Sequence, residues 1–439
     1  MGFGNKGLAA KAVMIVGIAI LRVSGVQREA NPMSPTIFIS AGEASGEHYG
    51  ALLASALDRQ LAARGQAARL YGMGGDRMEA SGLERVVHSE DMAVMGLTEV
   101  VLHLPRIYRE FRKLKKAIRT ERPDVAILID FPEIHFRLAR EFHRLGVPVI
   151  YFVSPQLWAW KKHRIKLVQK YVRKMLVIFP FEEAFYRENG VQAEFVGHPL
   201  AELPLPATTR EQFAAENHLD PTRTWIGLLP GSRAREIRDH LPEMLEAARR
   251  LQAAAPAGET IEFIVPLAPT LTIAQEAEVL QMAKDHSEGL TVRLLDDARA
   301  TLLHARASVV ASGTATVEAA LIGNPFVVVY RVSALTYAIA KRVVKVPHVA
   351  MANLIAGKEV VPELIQHDFT AANIVQQLGP LLPDGAARES MMKKLGAIRK
   401  ALNPQAAEGR GGAIERVAAV TLKELGAAFP PQDQTAVQS

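Results

Sequence analysis

Residues 36–47 read TIFISAGEASGE, and residues 225–232 read WIGLLPGS. Each is a short apolar run that enters a Gly/Ser turn and then a helical pattern, the way a parallel strand hands over to a crossover helix. Strand-length apolar runs at 125–130, 147–153 and 175–179 accompany the first, and runs at 261–265, 308–311 and 326–330 accompany the second. Helical patterns separate them. This alternation predicts an α/β protein with two Rossmann-like domains facing a cleft, ligands sitting at the carboxyl ends of the strands. Residues 197–206 (GHPLAELPLP) contain three prolines and no helical period, and read as the linker between the halves.

The chain has 439 residues, enough for two large domains or three small ones. With 49% apolar and 22% charged residues, its bulk is expected to fold. No cysteine is present, which excludes disulfide frameworks, thiolate metal sites and cysteine nucleophiles. The expected organisation is an extension at 1–34, an N-terminal domain at 35–200, a C-terminal domain at 201–380, helices at 381–428 and a disordered tail at 429–439. Within the extension, the apolar run 12–21 lies between Lys11 and Arg22 and is too short for a spanning helix. It resembles a signal peptide but lacks a convincing cleavage site; the alternative is an unstructured or mis-started leader with Met33 as the true start.

Candidate chemistry gathers at the strand ends. Gly231, Ser232 and Arg233 follow the run 225–229, where a tight turn offers backbone N–H groups at a helix start beside a guanidinium, a pattern suited to phosphate. Ser312, Gly313 and Thr314 form a second such turn, and Glu318 one helical turn on is suited to a ribose diol. The bland alternative is that these hydroxyls and carboxylates only cap helices. In the N-terminal half, Asp130 ends a strand just before Phe131 and Pro132, so its carboxylate is expected to project into the cleft as a general base or else cap the next helix. The first turn adds Glu43, Ser45, Glu47 and His48, a cluster at a strand end whose histidine suits a base or a phosphate partner or else is a satisfied surface group; the cluster is a candidate for the side of a second substrate. Neither the Gly-x-Gly-x-x-Gly nor the Gly-x-x-x-x-Gly-Lys fingerprint occurs at a strand end.

Two basic stretches carry apolar residues. Residues 102–122 hold eight Lys/Arg, with Ile107, Phe111, Leu114 and Ile118 at helical spacing; residues 156–174 hold seven Lys/Arg beside Trp158 and Trp160. The nearly uncharged stretch 92–101 (MAVMGLTEVV) precedes the first. Such elements suit an anionic membrane surface, or their apolar stripes face the core and their charges face water. Nucleic acid is not expected as a partner.

Taken together, SAGEASGE, MAVMGLTEV, SPQLWAW, FPFEEAFY with FVGHPL, LLPGSR, ASGTATVEAAL and NLIAGKEVVPELIQ resemble the lipid-A-disaccharide synthase family, over about residues 36–373. The resemblance implies a GT-B inverting glycosyltransferase that transfers a diacylglucosamine from UDP-2,3-diacylglucosamine to 2,3-diacylglucosamine 1-phosphate. It implies Asp130 as base, Arg233 at the UDP diphosphate, Glu318 at the ribose and Asn353 in the active site. No cofactor or metal is implied. The implied setting is cytoplasmic, peripheral to the inner membrane, and a second copy of the chain is left open as a partner. This sequence departs from the family pattern at Glu47, at Glu133-Ile134-His135, where the family shows a shorter acidic-Phe-Asn run, and at Ala352. Rival readings are another GT-B enzyme, such as a sugar-nucleotide epimerase, and a non-catalytic membrane-surface protein.

Overall fold

The computed structural model describes residues 34–92, 97–333, 337, 346–404 and 411–428. The expected leader (apart from Ser34) and the tail lie outside those residues, as do positions 93–96 of the apolar stretch. The N-terminal half contains β1 (Thr36–Ala41), β2 (Arg69–Gly74), β3 (Glu84–His88), β4 (Val125–Ile129), β5 (Val149–Phe152), β6 (Lys174–Val177) and β7 (Ala193–Phe195), in the sheet order β3-β2-β1-β4-β5-β6-β7. The C-terminal half contains β8 (Thr224–Leu229), β9 (Ile261–Pro266), β10 (Thr291–Leu295), β11 (Ala307–Ala311), β12 (Phe326–Tyr330) and β13 (Glu363–Ile365), in the order β10-β9-β8-β11-β12-β13. All pairings are parallel.

Helices cover both faces of each sheet, which is why central strands such as VAILI of β4 are buried at every position instead of alternating. All eight expected strands occur, with ends shifted by two residues or fewer. Five more, β2, β3, β7, β10 and β13, were not anticipated. In each half the strand order reverses once, between β1 and β4 and between β8 and β11. At such a point the flanking helices leave on opposite faces, and a crevice opens beyond the strand ends.

The linker forms a single 3-10 turn, Pro199–Glu202. Beside it the chain crosses back: the His198 N–H donates to the Leu402 carbonyl at 3.0 Å, and the Glu202 carboxylate accepts from the Ala413 N–H. The C-terminal helices therefore do not form one unit. The helix Ala386–Leu402 packs on the helix Thr314–Ile322 of its own half, while the helix Ala413–Ala428 packs on the helix Ala44–Ala62 of the other. Glu415 secures that return, accepting from Arg59 Nη2 and Gln60 Nε2, each at 2.6 Å.

Gly72, at the register shift between β2 and β3, has φ 150°, and a Cβ there would stand 2.0 Å from the Ile39 carbonyl oxygen of β1. Backbone strain and overpacking then act together. Gly72→Ala is expected to destabilise by roughly 2–5 kcal/mol, measured as a lower denaturant midpoint with unchanged slope.

Candidate active site

Asp130 stands one residue past β4, at the first reversal point, and it and Phe131 both adopt left-handed backbone, φ 52° and 50°. Two consecutive non-glycine residues in this region store strain of order 1–3 kcal/mol each, which the surroundings must offset. They do so through the Asp130 carbonyl. It accepts from the Tyr151 hydroxyl at 2.7 Å and lies 2.5 Å from His135 Nδ1, while its N–H still donates to Phe152 in the sheet at 3.0 Å. Burial, then the nearby Glu43 carboxylate, raises the Asp130 carboxyl to about 7, against a pull from the Phe131 N–H. A carboxylate so poised accepts a proton readily near neutrality.

Around it lie the first-turn residues. Glu43 is the residue before the helix Ala44–Ala62, and the Phe131 ring presses on Gly42 so closely that a Cβ there would be 2.2 Å from its Cδ1. Ser45 is half-buried in the same turn. Glu47 turns aside to accept from the Arg77 N–H at 3.0 Å, and His48 is held below its ordinary value by burial and then by Arg77. Glu47 and His48 thus belong to the junction with the helix Asp76–Ala80.

The second reversal point carries the other set. A cavity of about 380 Å³ is lined by Gly231, Ser232 and Arg233 after β8, by Ser312, Gly313, Thr314 and Glu318 after β11, and by Glu236 and Tyr330. The N-termini of the helices Ala234–Ala254 and Thr314–Ile322 both open on it, a setting that stabilises negative charge. Glu236, which the sequence reading passed over, supplies the charge within the protein itself: it accepts from the Ser232 N–H at 3.3 Å and from Arg233 Nη1 at 3.2 Å. Burial, offset by Arg299, raises the Glu318 carboxyl.

Asn353 does not line this cavity. It is fully buried, its Nδ2 donating to the Val361 carbonyl at 2.9 Å and to Glu363 Oε1 at 2.7 Å, its Oδ1 accepting from the N–H groups of Val360 and Val361. Four hydrogen bonds make it the organiser of the loop between the helix Met351–Ala356 and β13. Another buried group, His240, was not anticipated. Its Nδ1–H donates to the Pro230 carbonyl at 2.7 Å and its Nε2 accepts from the Arg331 N–H at 3.0 Å, which ties the turn after β8 to the end of β12.

The charges of both carboxylates, Asp130 and Glu318, reach Tyr49. This buried phenol is pushed up by burial first, then by Glu318 from one half and Asp130 from the other. Below it, aromatic rings run from Tyr49 to His198 (6.5 Å) and on to Phe179 (5.2 Å) and Phe181 (5.8 Å). Glu182 follows, 1% exposed, accepting from Trp158 Nε1 at 3.1 Å and from the Phe179 N–H at 3.2 Å. Burial raises its carboxyl to about 8.

The basic helix Leu97–Glu121 turns its apolar stripe inward: Leu114 and Ile118 are fully buried, with Ile107 and Phe111 packed against the same core. The core reading of that stripe is therefore the correct one. Leu104, Tyr108 and Trp160 remain exposed, with Lys161 Nζ 4.0 Å from the Trp160 ring centre. Among the described residues no helix is long and apolar enough to cross a membrane.

The family model for lipid-A-disaccharide synthetase matches residues 37–417. A lipid-A-disaccharide synthase of Acidobacterium capsulatum is 61% identical over 401 residues, 89% of this chain and 97% of that protein; one of Koribacter versatilis is 49% identical over 387, 88% and 97%. The chain belongs to this family. It is an enzyme, a glycosyltransferase of lipid A biosynthesis. The fold agrees: the calicheamicin glycosyltransferase CalG4 superposes with TM-score 0.54 at 20% identity (91% of this chain, 100% of that one), and a putative UDP-N-acetylglucosamine 2-epimerase from Listeria monocytogenes with 0.57 at 14% (91% and 99%). The architecture is GT-B, as the two expected Rossmann-like halves require.

Glu182 gives this family member a pH-dependent element of stability. Its carboxyl, ordinarily near 4.5, is raised by burial to about 8 in the fold, so between these pH values the folded state holds the extra proton. Its contribution is full below the lower value and is lost as pH rises through the higher one. Glu182→Gln has no proton to lose, so its melting temperature relative to the parent is expected to rise from about pH 5 to about pH 8 and to level off above; a constant difference would place the ionisation elsewhere.

Proposed function

We propose that the chain joins UDP-2,3-diacylglucosamine to 2,3-diacylglucosamine 1-phosphate, releasing UDP and forming the β-linked disaccharide 1-phosphate by inversion. The observation that carries this reading is the pair of reversal points: a poised carboxylate at one, a cavity onto which two helix N-termini open at the other, and Tyr49 feeling the charge of both sides. Ionised Asp130 takes the proton of the acceptor's primary hydroxyl, and that oxygen attacks the anomeric carbon of the donor as the bond to the UDP oxygen breaks. Charge growing on the diphosphate is met by the two helix N-termini and Arg233, preorganised donors that need no reorientation during reaction. Glu318 is suited to the ribose diol, and Glu43 and Ser45 to the acceptor. Asn353 serves the donor side indirectly, through its loop.

Supplying both diacylated sugars and detecting disaccharide with UDP tests the reading directly; an epimerised UDP-sugar with no disaccharide would favour the rival enzyme class. Asp130→Asn is expected to lower turnover by about 10²–10⁴-fold while UDP binding is kept, and wild-type turnover would refute the base assignment. Because only ionised Asp130 acts, kcat/KM is expected to fall about tenfold per pH unit below about pH 7, the limb disappearing in the variant. Arg233→Ala is expected to weaken UDP binding by roughly 1.5–3 kcal/mol in calorimetry.

The second part of the proposal is peripheral attachment to the cytoplasmic face of the inner membrane, where acylated substrates reside. Its support is the exposed pair Leu104 and Tyr108 beside Arg106, Arg109, Arg112, Lys113 and Lys116 on one helix, apolar and cationic groups together. Leu104→Glu with Tyr108→Glu is expected to abolish co-sedimentation with anionic vesicles and leave UDP binding intact; unchanged sedimentation would refute it.

A further inference from the structure

His135 lies on the buried face of the helix Pro132–Leu145, fully enclosed, as are Ser40 and Tyr151. Its two ring nitrogens are committed. Nδ1 lies 2.5 Å from the Asp130 carbonyl and Nε2 lies 2.8 Å from Ser40 Oγ of the adjoining strand β1. A carbonyl oxygen only accepts, so Nδ1 carries the proton. Nε2 in the neutral ring then accepts from the Ser40 hydroxyl, and burial keeps the ring neutral. The tautomer is thus set by geometry. Tyr151, on the other neighbouring strand β5, donates to the same carbonyl at 2.7 Å, so both lone pairs of the Asp130 oxygen are taken.

That carbonyl is the lever on the residue's conformation. Asp130 and Phe131 occupy left-handed backbone that side chains other than glycine avoid. Released from its two donors, the Asp130–Phe131 unit is free to relax, and the carboxylate would swing with it. The Phe131 and Tyr151 rings wall the imidazole, with centroids 5.7 and 6.1 Å away, so it has no other place to go.

We propose that His135 is a positioning residue for the reaction: its Nδ1–H, together with the Tyr151 hydroxyl, clamps the Asp130 carbonyl and so holds the strained backbone that presents the Asp130 carboxylate to the cleft. The proposal rests on Asp130 being the base. A displacement of about 1 Å at a reacting group costs on the order of 100-fold in rate, which sets the size of the effect.

The test uses two isopolar replacements. An asparagine amide reaches as far as the ring's Nδ1 and can keep the bond to Asp130; a glutamine amide reaches as far as Nε2 and keeps only the bond to Ser40. His135→Gln is expected to lower kcat about 100-fold, with KM for the UDP-sugar and UDP affinity unchanged within about twofold. His135→Asn is expected to recover most of the rate, and Tyr151→Phe to lose about tenfold. In an Asp130→Asn background, His135→Gln is expected to cause no further loss. UDP binding and thermal unfolding confirm that each variant folds; should His135→Gln not, Tyr151→Phe and the Asp130→Asn background carry the same comparison. Wild-type kcat in His135→Gln, equal losses in the glutamine and asparagine variants, or a further loss without the Asp130 carboxylate would overturn the clamp. Wild-type turnover by Asp130→Asn would instead overturn the base assignment, a separate result.

Discussion

Each sheet reverses its order once, and the positions of nearly all functional groups follow from that constraint. Parallel strands need crossover helices, and where winding changes direction the helices after the two central strands lie on opposite faces. What is left uncovered is the crevice beyond β1 and β4 in one half and beyond β8 and β11 in the other. Glu43 and Asp130 occupy the first; Gly231 to Arg233 and Ser312 to Glu318 occupy the second. The return of the helix Ala413–Ala428 to the N-terminal half, beside the Pro199–Glu202 turn, ties the two halves through two adjacent chain crossings.

The same device stabilises both crevices. A turn at a strand end exposes carbonyls that the ladder no longer uses, and a buried carbonyl without a donor is costly. In the N-terminal half His135 serves Asp130; in the C-terminal half His240 serves Pro230. Each histidine uses Nδ1 for the turn and Nε2 for a neighbouring strand or its end. Neutral imidazole suits this work because it offers one donor and one acceptor at fixed separation on a rigid ring. Similar logic makes Asn353 a loop organiser: its amide has two donors and an acceptor, and all are used on the loop and the first residue of β13.

Much of the fold was legible in the chain because central parallel strands are buried on both faces and therefore read as unbroken apolar runs. The strands that escaped are instructive. β3, β7, β10 and β13 are the four outer strands, short or mixed in character, such as AEF and TVRLL, and lack that signal. β2 is interior and buried, but its sequence RLYGMG breaks the run with two glycines, one of them required by the close approach of Ile39. Likewise the apolar stripe of the basic helix was legible as a stripe, yet its direction was not, since periodicity states that one face is apolar without stating what covers it.

By itself the sequence determined the α/β class, the two-part division, the Gly/Ser turns at the strand ends and the strand-terminal Asp130, because each depends on residues adjacent in the chain. Turn chemistry, helix starts and strand composition are local properties. Only the tertiary structure decided that Tyr49 feels both Asp130 and Glu318, that Glu236 occupies the turn after β8, that Glu47 and His48 face the neighbouring helix, and that His135 and Tyr151 hold the Asp130 carbonyl. Those partners lie on different elements, and a side chain's protonation and hydrogen bonds depend on the buried surroundings that folding assembles around it.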